Sequence, residues 1–376
     1  MMKKLLALFA LSLSLSLSVK ADYWTQKANF PGFKRNLPIS FSIGSWGYVG
    51  WGTDTQNISV KDFWGYNSLT NSWTQKATFQ GQARSGAACY ADPVNGKGYA
   101  GLGQNTIGTF YQDWYQYDPA TNAWTPKATF TGGLRTLACG VFVGAYGYVG
   151  MGVNSSNVDA NDLWQYDAVG NQWISKNPLP SYGRHELVTF AVAGKAYFAL
   201  GYNNALSSSL LDIWEYDPAV AGGGLWTAKN SFYGDARYGA AAFTVYNQGY
   251  VGIGKTINQV YAVDFWRYNP FNDNWYQKAD FGGPGRLEAA WFAINDTGYI
   301  GLGGSPGTFY RDLWKYSPDT LTGINELEAS ALNFDVYPNP ASEFIVCNLQ
   351  SSVNKNSTVT ITDISGRKVY EQHQQA

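Results

Sequence analysis

The sequence predicts an all-β fold: a six-bladed β-propeller closed by its own N-terminal strand, followed by a small C-terminal β-sandwich fragment. Three observations predict it. First, Arg35, Arg84, Arg135, Arg184, Arg237 and Arg286 recur at separations of 49, 51, 49, 53 and 49 residues. Self-similarity near this period, with no helical periodicity inside it, marks a propeller. Second, each interval holds four short alternating segments bounded by turn residues, the content of a four-stranded antiparallel blade. Third, one Trp phrase comes too early. YWTQKANF at 23 to 30 precedes the first Arg, its near-copies begin at Trp73, Trp124, Trp173, Trp226 and Trp275, and none follows DLWKYS around Trp314.

Residues 1–21 open with Lys3 and Lys4, continue in an apolar stretch from Leu5 to Val19 and carry small residues at Val19 and Ala21. That is a secretory signal peptide by pattern, too short and wrongly flanked for a membrane anchor. No Cys stands at the expected cleavage point to take a lipid.

Each unit then opens on its Arg and continues into a glycine-patterned strand: GYVGWG (47–52), GYAGLG (98–103), GYVGMG (147–152), AYFALG (196–201), GYVGIG (249–254) and GYIGLG (298–303). In GYVGMG, Tyr148, Gly150 and Gly152 share one face while Val149 and Met151 share the other, so the neighbouring sheet is expected to approach on the Gly150 side. A polar loop leads to DFWGYN, DWYQYD, DLWQYD, DIWEYD, DFWRYN or DLWKYS. Trp164 and Tyr166 point the same way there and give the blade an apolar slab. The Trp phrase comes last. Six Arg starts and six Asp-aromatic strands therefore leave the sixth unit one strand short, and residues 22 to 30 are expected to supply it, removing two open sheet edges.

Composition narrows the partners. The 376-residue chain has net charge −1, 14 % charged residues and no basic tract, which argues against nucleic acid or anionic membrane as a partner, because phosphate binding needs clustered Lys and Arg. Three cysteines form no disulfide framework. Cys89 and Cys139 lie five and four residues after their Arg, face opposite ways on neighbouring strands, and read as small buried thiols.

The glycine strand, the Asp-aromatic-Trp-x-Tyr strand (Tyr115 replaces Trp in the second unit) and the Trp-x-x-Lys strand together resemble the kelch repeat over residues 22–317. The resemblance implies four-stranded blades with ligands met on the face bearing the loops between strands two and three and the loops joining blades. It does not fix a function. Residues 318–333 read as a linker. In 334–376, YPNP at 337–340 and DISGRKVY at 363–370 resemble the C-terminal sorting domain of the bacterial type IX secretion system. That likeness implies a partner in the type IX machinery and a secreted or outer cell-surface location. The chain stops six residues after Tyr370, where the family carries a final strand pair, so the domain reads as partial.

Two motifs fail their context. GYVGIGKT at 249–256 has P-loop spacing, but its glycines are the repeat's own strand and no helix follows to meet a phosphate. GGSPG around Ser305 has nucleophile-elbow spacing, but the chain holds only His185 and His373, so no triad partner is at hand. The same scarcity argues against the two-histidine, tyrosine-assisted copper site of the radical oxidases that some secreted kelch-type propellers resemble. No spacing suggests zinc or calcium, and no metal or cofactor is expected.

The six arginines recur alongside six aspartates (Asp62, Asp113, Asp162, Asp212, Asp264, Asp312) and six lysines. A charge present in every blade points to satisfying backbone or a neighbouring blade; the other reading is a ring of Arg at the channel mouth drawing acidic ligands. Function is expected where blades depart from their template. The fourth unit's LPSYGRHELVTF groups Tyr182, Arg184, His185 and Glu186, and the sixth unit's GRLEAAWF places Glu288 at the equivalent of Glu186 and Trp291 where siblings carry small residues. Tyr182, Arg184, His185, Glu186, Arg237, Arg286, Glu288 and Trp291 are thus the candidate ligand-binding set. The expected function is a secreted binding module for protein or glycan, presented on polar loops such as 53–61, 104–112, 153–161, 202–211, 255–263 and 304–311. The alternative is a sugar isomerase resembling the six-bladed kelch epimerases for sialic acid, with Arg184 or Arg237 holding the substrate carboxylate and Glu186, Glu288 and His185 as candidate catalytic groups.

Overall fold

The structure is a computed structural model that describes residues 22–319 and four C-terminal strands. Residues 1–21, expected to be a signal peptide, and most of the expected linker lie outside the described residues. Residues 22–318 form one compact unit. In it, six four-stranded antiparallel sheets stand around an axis, each running from an inner to an outer strand. The first is Ile39–Ile43, Trp46–Gly50, Phe63–Asn67 and Ser72–Gln75. The sixth is Ala290–Ile294, Thr297–Gly301, Leu313–Ser317 and, from the other end of the propeller, Tyr23–Lys27. Trp24 stands opposite Tyr316 in that last pairing, so the early Trp phrase closes the ring.

Why the phrase repeats is visible at the rim. The indole N–H of Trp73 donates to the carbonyl of Ala28 in the preceding blade's phrase at 2.9 Å, and Trp173, Trp226 and Trp275 do the same to Ala128, Asn177 and Asn230. Trp24 completes the circuit on Ala279 at 3.1 Å. A second latch runs the other way. Asn71 in the outer turn accepts from Ala28 N–H and from the Tyr66 hydroxyl, as Asn122, Asn171 and Asp273 do in their blades. In the sixth blade Asp22 takes this place, accepting from Ala279 N–H at 2.6 Å and Tyr316 Oη at 2.8 Å. The second blade is the exception: Trp51 stands where siblings have Leu, Met or Ile, packs on Trp124 and Phe79, and leaves the Trp124 indole N–H buried without a partner.

Between blades the packing is knob and gap. A Cβ on Gly47, Gly98, Gly147, Gly249 or Gly298 would overlap the ring of Phe292, Phe41, Tyr90, Phe190 or Phe243 from the preceding blade's inner strand. The fourth blade carries Ala196 at this position, and there the facing residue is Val141, which shares its core cluster. This corrects the sequence expectation. Gly147 admits the neighbour, whereas Gly150 is small because its own third strand passes close by at Asp162 and Leu163. Such large-to-nothing complementarity lets neighbouring sheets approach closely.

Cys139 is buried, and burial pushes its thiol up to about 12. Cys89 differs from expectation in being only partly covered: it lines the axial cavity and donates to Ser40 O at 3.3 Å, its thiol raised by burial to about 11. The C-terminal unit, taken by itself, pairs Asn333–Tyr337 with Val346–Gln350 and Ser357–Thr362 with Lys368–Gln374, both antiparallel. No helix among the described residues is long and apolar enough to cross a membrane.

Candidate functional site

The recurrent arginines are committed inside their own blades. Arg184 is fully buried, grips both carboxylate oxygens of Asp212 at 2.6 and 2.8 Å, and donates further to Leu200 O and Tyr182 O. Arg237 holds Asp264, and Arg286 holds Asp312, in the same fork. Bidentate pairs of this kind are the strong charge-assisted ones. Burial alone would raise Asp62, Asp212 and Asp264, but the arginine's hydrogen bonds and charge, helped by the next Trp indole, hold each below its usual range. Arg184, Arg237 and Arg286 therefore have no free donor edge for a ligand carboxylate. The ring-of-arginine reading gives way to the structural one.

Two residues beyond each arginine the chain turns left-handed. Leu37, Gly86, Leu137, Glu186, Gly239 and Glu288 have φ between 49° and 62°. Their peptide groups make a closed circle around the axis: each N–H donates to the carbonyl of its counterpart in the preceding blade, at 2.7 to 3.3 Å, with Leu37 returning to Glu288. The backbone thereby satisfies itself at a place where no ladder is available. Four of the six ring positions carry Leu or Gly, and two carry carboxylates.

Glu186 and Glu288 flank Gly239, and a Cβ on Gly239 would stand 3.0 Å from Glu186 Oε2. Both line an axial cavity of about 120 Å³ together with Ser40, Thr189 and Trp291. Glu186 Oε2 is occluded and has no hydrogen-bond partner among the described residues. Burial first, and then the charge of Glu288, drive the Glu186 carboxyl well above its ordinary value. Burial likewise lifts Glu288 to about 7, opposed by a 2.5 Å hydrogen bond from Asn36 Nδ2. Tyr238 rises to about 12 by burial, with Glu186, Tyr261, Glu288 and Tyr202 adding to the effect. The Tyr202 and Tyr238 rings meet edge to face at 5.4 Å, and Lys255 Nζ lies 6.0 and 5.9 Å from the rings of Tyr238 and Tyr261.

The group Tyr182, Arg184, His185 and Glu186, contiguous in sequence, goes to four different places. Tyr182 is 59 % exposed on the loop joining blades three and four and does not line the axial cavity. Arg184 is spent within its blade. His185 turns to Asp159, Nδ1 to Oδ1 at 2.6 Å, and its backbone pairs with Tyr202. Glu186 alone reaches the axis, where Glu288 and Trp291 join it. Sequence reading missed Asn36 and Tyr238, and reached Tyr202, Lys255 and Tyr261 only as members of the polar loops 202–211 and 255–263. A signal was present: Asn36, His185 and Tyr238 occupy one template position, directly after Arg, that varies from blade to blade.

The aliphatic tips of these loops were also missed. Asp54, Asn105, Asn154, Asn203 and Thr256 pin the bases of the loops between strands two and three by accepting local backbone N–H groups, a common device of short polar side chains. Each pinned loop lifts an aliphatic residue into solvent: Ile58, Ile107, Val158, Leu206 and Val260. No group of three or more His, Cys, Asp or Glu among the described residues is arranged to hold a metal.

Residues 335–376 match the family described as "Secretion system C-terminal sorting domain". No curated protein matches the chain. Among solved structures, one titled "Structure of YjhT" resembles it with a TM-score of 0.64 at 16 % identity, covering 76 % of this chain and 95 % of that one. At that identity the likeness is one of fold. The chain is a six-bladed β-propeller with a type IX secretion sorting domain, which marks it for the cell surface or the extracellular space.

Proposed function

We propose that this exported propeller is a binding module that takes the end of a neutral sugar chain at its axial mouth, between blades four, five, six and one. One observation carries the reading: two carboxyl groups replace Leu or Gly in the backbone ring, and Glu186 Oε2 is left occluded and unpartnered at the cavity. A buried polar atom without a partner is costly, and a sugar hydroxyl is a donor of the right kind to relieve it. Tyr202, Tyr238 and Tyr261 offer flat faces and hydroxyls, the mixed surface that suits sugars. An acidic sugar fits less well, because Arg184, Arg237 and Arg286 are already paired and offer it no anchor. The sialic-acid-like substrate of the enzyme alternative loses its anchor in the same way.

The test is a glycan array followed by calorimetry with wild type, Glu186→Leu and Glu288→Leu. Leu occupies the equivalent left-handed position in blades one and three, so both variants keep the ring's own chemistry. Binding of a neutral glycan by wild type, weakened about tenfold or more in either variant, supports the reading; a silent array, or equal binding by all three, overturns it. The value near 7 for Glu288 favours one second reading, acid–base exchange between anomers of the same neutral sugar. Anomer exchange followed by NMR decides it: equal rates with wild type and Glu186→Gln remove the enzyme.

A further inference from the structure

A second cavity lies away from the axis. A groove of about 810 Å³ lies on the loop side of blade one, between blades six and two, lined among others by Phe33, Lys34, Lys61, Trp64 and Arg311. Its size falls within the range of ligand pockets. Its charge is the unusual feature. The position before the repeat Arg is Lys34 here but Ala83, Leu134, Gly183, Ala236 and Gly285 elsewhere. The position before the repeat Asp is Lys61 in blade one and Arg311 in blade six, but Gln112, Asn161, Leu211 and Val263 in the others. All three template departures that add a cation at these positions converge on this one groove.

None of the three has a carboxylate partner among the described residues; Lys61 Nζ only reaches the carbonyl of Gly81, at 3.5 Å. The one acid in the lining, Asp62, is already neutralised by the Arg35 fork and also accepts from the Trp64 indole at 2.8 Å. Three exposed positive charges thus face one another across a concave surface with nothing to offset them. That arrangement raises the local concentration of anions, since concave walls focus the field. Phe33, 67 % exposed, and the part-exposed Trp64 add two aromatic surfaces to the same walls.

We propose that this groove binds a segment of an anionic polysaccharide, its acidic groups held by Lys34, Lys61 and Arg311 and its sugar faces resting on Phe33 and Trp64. The site is separate from the axial mouth and does not depend on it. The probes are polygalacturonate and dextran sulfate, which distinguish carboxylate from sulfate as the anion, with uncharged dextran and a single-stranded oligothymidylate as comparisons. Surface plasmon resonance on the full chain measures each in low and high salt.

The proposal expects one of the two acidic polysaccharides to bind, uncharged dextran to be silent, and affinity to fall about tenfold between 20 and 300 mM salt. The triple variant Lys34→Gln, Lys61→Gln, Arg311→Gln should lose about tenfold or more at low salt. The double variant Lys127→Gln, Lys176→Gln, which removes cations outside the groove, should change little, and so should Glu186→Leu. Equal losses in the triple and the double variant would mean unspecific charge attraction and overturn the site. So would tighter binding of the oligothymidylate, undiminished binding by the triple variant, or no binding of either acidic polysaccharide. Because Glu186→Leu reports on the axial mouth alone, failure of one site leaves the other judged separately.

Discussion

Replacing Glu288 by Gln is expected to stabilise the propeller in neutral and alkaline solution and to leave it unchanged in acid. In the folded chain the carboxyl titrates near 7, against 4.5 for the group in its ordinary state. Below 4.5 it is protonated whether the chain is folded or not, and it contributes no pH-dependent term. Between 4.5 and 7 the unfolded chain has already released the proton that the folded chain retains, so stability falls by up to about 1.4 kcal/mol for each pH unit. Above 7 the loss is complete, with a ceiling of roughly 3 kcal/mol, reduced by the partial exposure of the site. Gln resembles the protonated form and keeps an oxygen for Asn36 Nδ2, so the variant avoids the loss. Urea unfolding of wild type and Glu288→Gln at pH 4, 6 and 8.5 measures it, and the gain should grow with pH and then level off above 7. A difference that is the same at all three pH values, or a variant less stable at pH 8.5, would refute the account. Carbon-13 NMR of Glu186 supplies a second readout: without the charge of Glu288, its titration should move down toward the ordinary range.

Two further outcomes follow from the blade contacts. Trp24→Phe removes the indole donor to Ala279 and part of a ring packed on Phe265, Phe281 and Tyr316, and should cost about 2 kcal/mol or more; Asp22→Ala removes the acceptor of the Ala279 N–H and of the Tyr316 hydroxyl and should cost about 2 kcal/mol; a lowered denaturation midpoint checks both, and Trp73→Phe, whose ring packs on Phe30 and Tyr66 and donates to Ala28, should fall in the same range as Trp24→Phe. Gly147→Ala drives a methyl into the ring of Tyr90 and should cost about 2 kcal/mol or more, most of it recovered by adding Tyr90→Val, which reproduces the Val141 and Ala196 pair; a double-mutant cycle measures the coupling.

The blade count and the closing strand were legible because each rests on a residue that recurs six times. Arg35 and its five counterparts, read as a charge too regular to serve one ligand, are indeed structural. What was not legible depends on conformation that identity does not encode. The ring of left-handed residues hides behind the dissimilar letters of Leu37, Gly86, Leu137, Glu186, Gly239 and Glu288; only the two glycines at one template position hinted that a positive φ was required there. Tyr182, Arg184, His185 and Glu186 look like one cluster in the sequence, yet that turn at Glu186 and the alternation before it send them to solvent, blade interior, neighbouring loop and axis. The glycine strand misled for a related reason. Both Gly147 and Gly150 forbid a side chain, one because of the next blade and the other because of its own, and a single sequence does not say which. Loop composition suggested polar contact surfaces, and the aliphatic tips were hidden by the Asn and Ser around them.

The pairing of Tyr23 with Ser317 has a consequence for presentation. The chain enters the sixth blade and leaves it at one corner, on the side of the outer turns. The pinned loops, the tyrosines and the basic groove all belong to the opposite side. A pull applied at Ser317 therefore acts on the face opposite the pinned loops and the basic groove.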